Sequence, residues 1–297
     1  MLGSITLDWF ARTENFEVTG TYRAGEELGS LTQKYPEAAF SLLDAEVATP
    51  ASIEEVIKNA DWVINAIGVI KPYIHDDNPV ESQRAIKVNS LFPYALAKAA
   101  EKNQTRVIQI ATDCVYSGDK GSYTESDPFD ALDVYGKTKN LGEVYSDTMY
   151  HVRCSIIGPE TKAHLSLMDW FLGQPKAAEL NGYTNHQWNG VTTLQFARIC
   201  QGIISADISI EHMQHIIPGN LITKANLLKA FAKEFDRSDI TINSVEAPKV
   251  IDRTLQTNNQ ALNAQIWQAA GYEQPPTIEE MVTEVAAYNF PQKLEAK

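Results

Sequence analysis

Five short apolar runs, spaced by stretches of helical periodicity, constrain this chain most. They span residues 16–22, 39–43, 61–68, 106–111 and 151–157. The spacing predicts helices over 3–12, over 85–102 and over 135–145. Another opens at Thr49-Pro50-Ala51-Ser52, with Ser52 as cap and Glu55 three residues on. Strands that alternate with helices pair in parallel, so the fold class is α/β, a Rossmann-type doubly wound parallel sheet. The second half is less regular. It predicts a short helix and loop within 162–180, a polar and aromatic stretch over 182–190, and helices over 222–235 and 278–288. Another helix is capped by Thr192 or Thr193 and runs to Ser205. Residues 1–160 therefore read as the sheet domain. Residues 161–297 read as a small C-terminal lobe over the sheet's carboxyl edge, with some segments returning to the sheet; ligands of such folds sit at that edge.

Charge and cysteines narrow the function. The net charge is −13, which opposes a nucleic-acid footprint, since that needs a basic face. An anionic small molecule stays compatible, because a pocket needs only a few local cations. The three cysteines Cys114, Cys154 and Cys200 are scattered, with no metal spacing; reduced thiols in a cytoplasmic protein fit them. His212 and His215 lie three apart on an expected strand and so face opposite sides, which argues against a metal pair. No apolar run is long enough to span a membrane, and the first ten residues carry no signal-peptide pattern.

The chemistry-bearing pattern is Tyr-x-x-x-Lys, which puts phenol and ammonium on one helix face. It occurs as Tyr94/Lys98, Tyr116/Lys120 and Tyr135/Lys139. Tyr116 runs into Ser117-Gly118-Asp119, a turn. Tyr94 and Lys98 share a helix, but no strand ending in a hydroxyl residue precedes them at suitable distance. Only Tyr135 has such a strand upstream, Ile108-Gln109-Ile110-Ala111-Thr112, then a loop, then a helix. Thr112, Tyr135 and Lys139 together can protonate a carbonyl oxygen while a hydride attacks its carbon. A free Tyr titrates near 10, and a cation about 4–6 Å away favours its phenolate; Lys139 is expected to act so on Tyr135.

The run 111–118, then Gly121-Ser122-Tyr123-Thr124-Glu125, Pro128 and Tyr135-Gly136-Lys137-Thr138-Lys139, resembles the extended short-chain dehydrogenase/reductases. Within them it is most similar to the dTDP-4-dehydrorhamnose reductase group. The resemblance extends through Leu43-Asp44, Val63-Ile64-Asn65-Ala66, Val88-Asn89, Arg153-Cys154-Ser155-Ile156-Ile157-Gly158 and Asn189-Gly190-Val191-Thr192-Thr193. Asp252-Arg253-Thr254-Leu255 only approximates the family's Arg-Pro run. The resemblance implies a catalytic set of Thr112, Tyr135 and Lys139. It implies cofactor contacts at Gly3, Asp44, Ala66, Ile67, Gly68, Asn89 and Lys139, and substrate contacts at Tyr116, Trp188, Asn189 and Arg253. Asn89 is read either as part of a proton relay or as an amide tying helix to sheet. Trp188 and Asn189, with Tyr183, read either as nucleotide-sugar contacts or as packing. Arg23 ends the second expected strand of such a fold, where an Arg suits a 2′-phosphate; NADP(H) is favoured, and NAD(H) remains usable.

The family opens with a strand and a Gly-x-x-Gly-x-x-Gly loop, whereas Met1-Leu2-Gly3-Ser4 resembles only that loop's tail. The expectation is a start at an internal Met, with an unfilled strand position beside 16–22 or 61–68. Three activities fit the resemblance. The first is an NAD(P)H-dependent reductase of a 4-keto nucleotide sugar, serving polysaccharide biosynthesis. The second is an NAD-retaining epimerase or dehydratase; related dehydratases carry Glu where this chain has Cys114. The third is a non-catalytic subunit like the regulatory subunit of methionine adenosyltransferase. A nucleotide sugar is the expected ligand, and a homodimer is left open.

Overall fold

A computed structural model of the 297-residue chain describes residues 1–25, 28–160 and 164–289. The stretch 162–180, expected to hold a short helix and a loop, begins among residues outside that set, and its helix lies at Leu167–Leu172. The first half runs α1 (Leu2–Ala11), β1 (Thr19–Tyr22), α2 (Leu28–Lys34), β2 (Ala39–Leu42), α3 (Pro50–Ile57), β3 (Trp62–Asn65), α4 (Pro79–Ala85), a π-helical segment (Ile86–Leu91), α5 (Phe92–Asn103), β4 (Arg106–Ala111), α6 (Val134–Leu141) and β5 (Met149–Arg153). The second half adds β6 (Ile156–Ile157), α7 (Leu167–Leu172), β7 (Glu179–Tyr183), β8 (Gln187–Trp188), β9 (Val191–Thr192), α8 (Thr193–Ser205), β10 (Met213–His215), β11 (Ile222–Thr223), α9 (Lys224–Glu234), β12 (Thr241–Val245), α10 (Gln260–Ala269) and α11 (Ile278–Ala287).

The central sheet has the order β10-β5-β4-β3, all parallel. Its strands are short and apolar because helices cover both faces. A segment of the C-terminal half thus returns to the sheet as β10. Strands β1 and β2 form a separate parallel pair. Among the described residues β1 and β3 are not hydrogen-bonded to each other, although both carry one helix. A Cβ added at Gly3 of α1 would touch Ala66, just past β3, while one added at Gly20 of β1 would meet Leu7 of α1. Ile5, Phe10 and the partly buried Trp62 and Ile64 join one core that runs on through α8, α10 and α11.

Several boundaries differ from those the sequence suggests. The helix after residue 49 is capped by Thr49, and Ser52 is its reciprocal partner at the third position, not the cap. Pro50 explains this: its fixed φ and missing N–H suit the first helical position. The helix expected over 85–102 is one helical run from α4 to α5, interrupted by the π segment, where an extra residue per turn enters. α6 stops at Leu141 and not near 145. There Gly142 lies so close to the backbone of Asn89 that any Cβ would overlap its carbonyl oxygen. Helix α10 and strand β12 lacked a clear period in the sequence and emerge only in the fold.

Candidate active site

Strand β4 delivers Thr112 to the carboxyl edge of the sheet. There Thr112 caps a short turn over Asp113–Val115, its hydroxyl accepting from the Cys114 amide at 3.2 Å. α6 begins beside it, capped by Asp133, whose carboxylate accepts from the Gly136 amide at 2.8 Å and from Lys71 at 2.7 Å. Gly136 is required here: a Cβ would meet the Cys114 carbonyl oxygen and the Ala131 side chain. That close approach brings the first turn of α6 against Thr112. The Thr112 side chain is near enough to the Tyr135 phenol to act on its titration. Lys139, one turn further on, is buried and donates to the Ile110 carbonyl at 3.0 Å.

The electrostatics correct one expectation. Burial pushes the Tyr135 phenol up, the Cys114 side chain adds to this, and the Thr112 side chain opposes it; Asp113 and Asp133 follow. The anticipated lowering by Lys139 does not figure among these causes, because the Lys139 ammonium is held against Ile110 and faces Glu143. Tyr135 is therefore a protonated phenol near neutral pH, poised to donate. Burial draws Lys139 down to about 8, with Glu143 opposing that shift. Burial and Asp113 push the Cys114 thiol up to about 12, so it remains a neutral thiol, not a nucleophile.

The residues anticipated as substrate contacts divide. Arg253 donates through Nε to the Tyr116 carbonyl at 2.7 Å, and its charge acts on Cys114 and Asp133, which places it over the site. Trp188 is buried in the lobe, its indole N–H donating to Ser155 at 2.9 Å. Tyr116 is fully buried, stacked on Tyr123 at 4.2 Å, with its hydroxyl spent on the Thr124 carbonyl. Its place is in the packing beside Tyr123, with no free hydroxyl turned outward. Asn189 is likewise structural: both ends of its amide bond the backbone of Leu255, at 2.7 and 2.9 Å.

One residue was missed in the sequence. Lys224 opens α9, and its ammonium lies 5.5 Å from the centroid of the Trp188 ring, where Asp113 and Cys114 act on its charge. Among the described residues its ammonium has no hydrogen bond or ion pair. Nothing local marks it out, since it stands 112 positions from Thr112 and only the closing of the lobe brings the two together.

The anticipated cofactor residues line the same edge. Exposed Gly3 sits beside Ala66, and exposed Gly68 has only the Asn89 side-chain oxygen near it, so backbone is accessible on both sides of Ala66 and Ile67. Arg23 follows the last residue of β1 and is exposed; Asp44 follows β2, one of its oxygens accepting from the Glu46 amide at 2.9 Å. This open backbone edge fits a dinucleotide. The Asn89 amide bonds Val69 at 2.8 and 3.0 Å and the Thr138 hydroxyl at 3.2 Å. These bonds are those of an amide that ties helix to sheet.

A doubly wound parallel sheet with Thr, Tyr and Lys gathered at its carboxyl edge defines the short-chain dehydrogenase/reductase class. The chain belongs to the family described as RmlD substrate binding domain, whose model matches residues 11–289. A dTDP-4-dehydrorhamnose reductase of Mycobacterium tuberculosis is 32% identical over 146 residues, covering 44% of this chain and 45% of that protein. The chain thus aligns with about half the length of the curated relatives it matches. Among solved structures, the dTDP-4-dehydrorhamnose reductase of Bacillus anthracis in complex with NADP aligns at TM-score 0.68 and 17% identity, covering 91% of this chain and 99% of that one. The UDP-glucuronic acid 4-epimerase of Bacillus cereus in complex with NAD aligns at TM-score 0.71 and 13% identity, over 97% and 92%. At these identities the solved structures establish the Rossmann-type fold, which reductase and epimerase share.

Proposed function

We propose that this protein is an NADPH-dependent reductase of a 4-keto nucleotide-activated deoxysugar, dTDP-4-dehydrorhamnose or a close relative, supplying polysaccharide synthesis. The observation that carries the reading is the gathering of Thr112, Tyr135 and Lys139 at one sheet edge, the phenol protonated, with the cations Lys224 and Arg253 near Asp113 and Cys114. Thr112 holds the substrate's carbonyl oxygen through its hydroxyl. Tyr135 gives that oxygen its proton as negative charge develops there. Lys139, one turn along the same helix, helps hold the nicotinamide ribose. Gly3, Ala66, Ile67 and Gly68 hold the dinucleotide along the sheet edge, with Arg23 toward a 2′-phosphate and Asp44 toward the adenine. The bound NADPH supplies the hydride. Lys224 and Arg253 receive the anionic diphosphate of the substrate.

The reading is tested by NADPH consumption against a small panel of 4-keto nucleotide sugars. Stoichiometric oxidation of NADPH is expected with at least one of them. An epimerase would interconvert sugars with no net consumption, and a regulatory subunit would turn over none. The neutral thiol of Cys114 weighs against a dehydratase, which needs a carboxylic acid at that point.

A further inference from the structure

The most deeply buried ion pair near the site takes no part in the chemistry described so far. Arg153, the last residue of β5, is fully buried, and Glu143, two residues past the end of α6, is 8% exposed. Arg153 Nη2 donates to Glu143 Oε2 at 2.8 Å, and Nη1 donates to the carbonyl of Thr112 at 2.6 Å. The guanidinium also lies over the rings of Tyr116 and Phe129, 5.3 and 5.0 Å from their centroids. Lys139 meanwhile donates to the carbonyl of Ile110. Two cations thus hold alternate carbonyls at the end of β4, and Glu143 faces both of them.

Such a pair is costly to retain. Glu143 Oε1 and Arg153 Nε are buried with no hydrogen-bond partner, and two apolar side chains would fill this volume at least as favourably. A purely packing role therefore accounts poorly for it. The arrangement has two consequences for the site. Arg153 fixes the backbone of Thr112, and with it the direction in which that hydroxyl leaves the strand end. Glu143 places one negative charge against Lys139, and Gly142, wedged on Asn89, fixes where Glu143 emerges from the helix.

We propose that Glu143 and Arg153 are positioning residues for the reductase site, Arg153 orienting Thr112 and Glu143, bonded to Arg153 and four residues past Lys139, setting the charge beside that ammonium. The proposal rests on the reductase reading for its catalytic consequence, but not for its electrostatic one. Glu143 raises the pKa of Lys139 against burial, while Arg153 lowers it. Burial raises Glu143, and Arg153 and Lys139 hold it down. The other titratable groups facing this pair are Tyr116, Cys154, His151, His212 and His215; burial raises the phenol and the thiol, takes His151 down to about 3 and His215 to about 4 and lowers His212, so all are neutral at pH 7 and leave Lys139 to Glu143 and Arg153.

Glu143→Gln keeps the size and the hydrogen bond and removes the charge. The expected result is that the Nζ resonance of Lys139, followed by nitrogen NMR, titrates roughly one pH unit lower than in the wild type, the order expected for losing one nearby charge. The basic limb of the kcat–pH profile should move with it while KM stays within about twofold. Glu143→Asp, which keeps the charge, should restore both. Arg153→Lys should lower kcat about tenfold at every pH without moving the limb, since it loses the forked contact to Thr112. Unchanged Lys139 titration in Glu143→Gln would overturn the proposal, even if the melting temperature fell; so would an unmoved titration on comparing Glu143→Asp with Glu143→Ala, should Glu143→Gln not fold. If the wild type reduces no sugar nucleotide yet Lys139 titrates as expected, the reductase reading fails and the electrostatic pairing stands.

Discussion

At the scale of single residues, function here depends on which polar groups are already spent. Tyr116, Asn89 and Asn189 have the chemistry of ligand contacts, and each has its hydrogen bonds committed within the protein. Polarity and position were readable in the sequence; commitment was not, because it depends on backbone groups as far off as Leu255. Thr112, Tyr135 and Lys139 were legible because strand end and helix face fix them by local geometry. Lys224 shows the opposite case, an ammonium above Trp188 with no partner among the described residues. Charge-assisted contacts contribute about 1.5–3 kcal/mol. Lys224→Met should therefore raise KM for the nucleotide sugar at least tenfold and leave kcat within about threefold. A steady-state comparison with Lys224→Arg, expected to retain much of the affinity, checks this; an unchanged KM would remove Lys224 from the substrate site.

At the scale of elements, close backbone approaches set the geometry more than helix propensity does. The helical period over 135–145 was legible, but the stop at Leu141 was not. It comes from Gly142 meeting Asn89, a contact made by the π-helical segment 53 positions earlier. Gly142→Ala should accordingly cost about 3 kcal/mol, at the upper end for overpacking, although alanine is the better helix former. Chemical denaturation would measure it; a stabilised Gly142→Ala protein would show that the backbone there yields freely. The same reasoning explains the cap at Thr49: the sequence showed Thr, Pro and Ser in order, and Pro50 decides which of the hydroxyls comes first.

At the scale of the whole molecule, the sheet is in two parts. The apolar runs were readable as strands, and their parallel pairing followed from the helices between them. The lobe was less legible because β6, β8, β9 and β11 are two residues each and depend on tertiary partners. In a parallel ladder alternate residues bond to opposite neighbours. Val18 and Tyr22 bond toward β2 and Asp61 toward β4, so Thr19, Thr21, Trp62 and Ile64 direct their amides to the unpaired edges. Those four amides should exchange with solvent far faster than Gly20, Tyr22, Val63 and Asn65. Equal protection across all eight would show that the two edges are paired after all. Arg23 and Asp44 belong to the β1–β2 part, whereas Thr112, Tyr135 and Lys139 belong to the larger one, so a dinucleotide held as proposed would bridge both. The central claim is that the Tyr135 phenol donates the proton in reduction of a 4-keto sugar. Its most direct test compares NADPH oxidation by the wild type and Tyr135→Phe with dTDP-4-dehydrorhamnose, alongside melting temperatures. The account predicts turnover lower by about 10²–10⁴-fold in a protein that melts like the wild type; equal turnover by the two would contradict it.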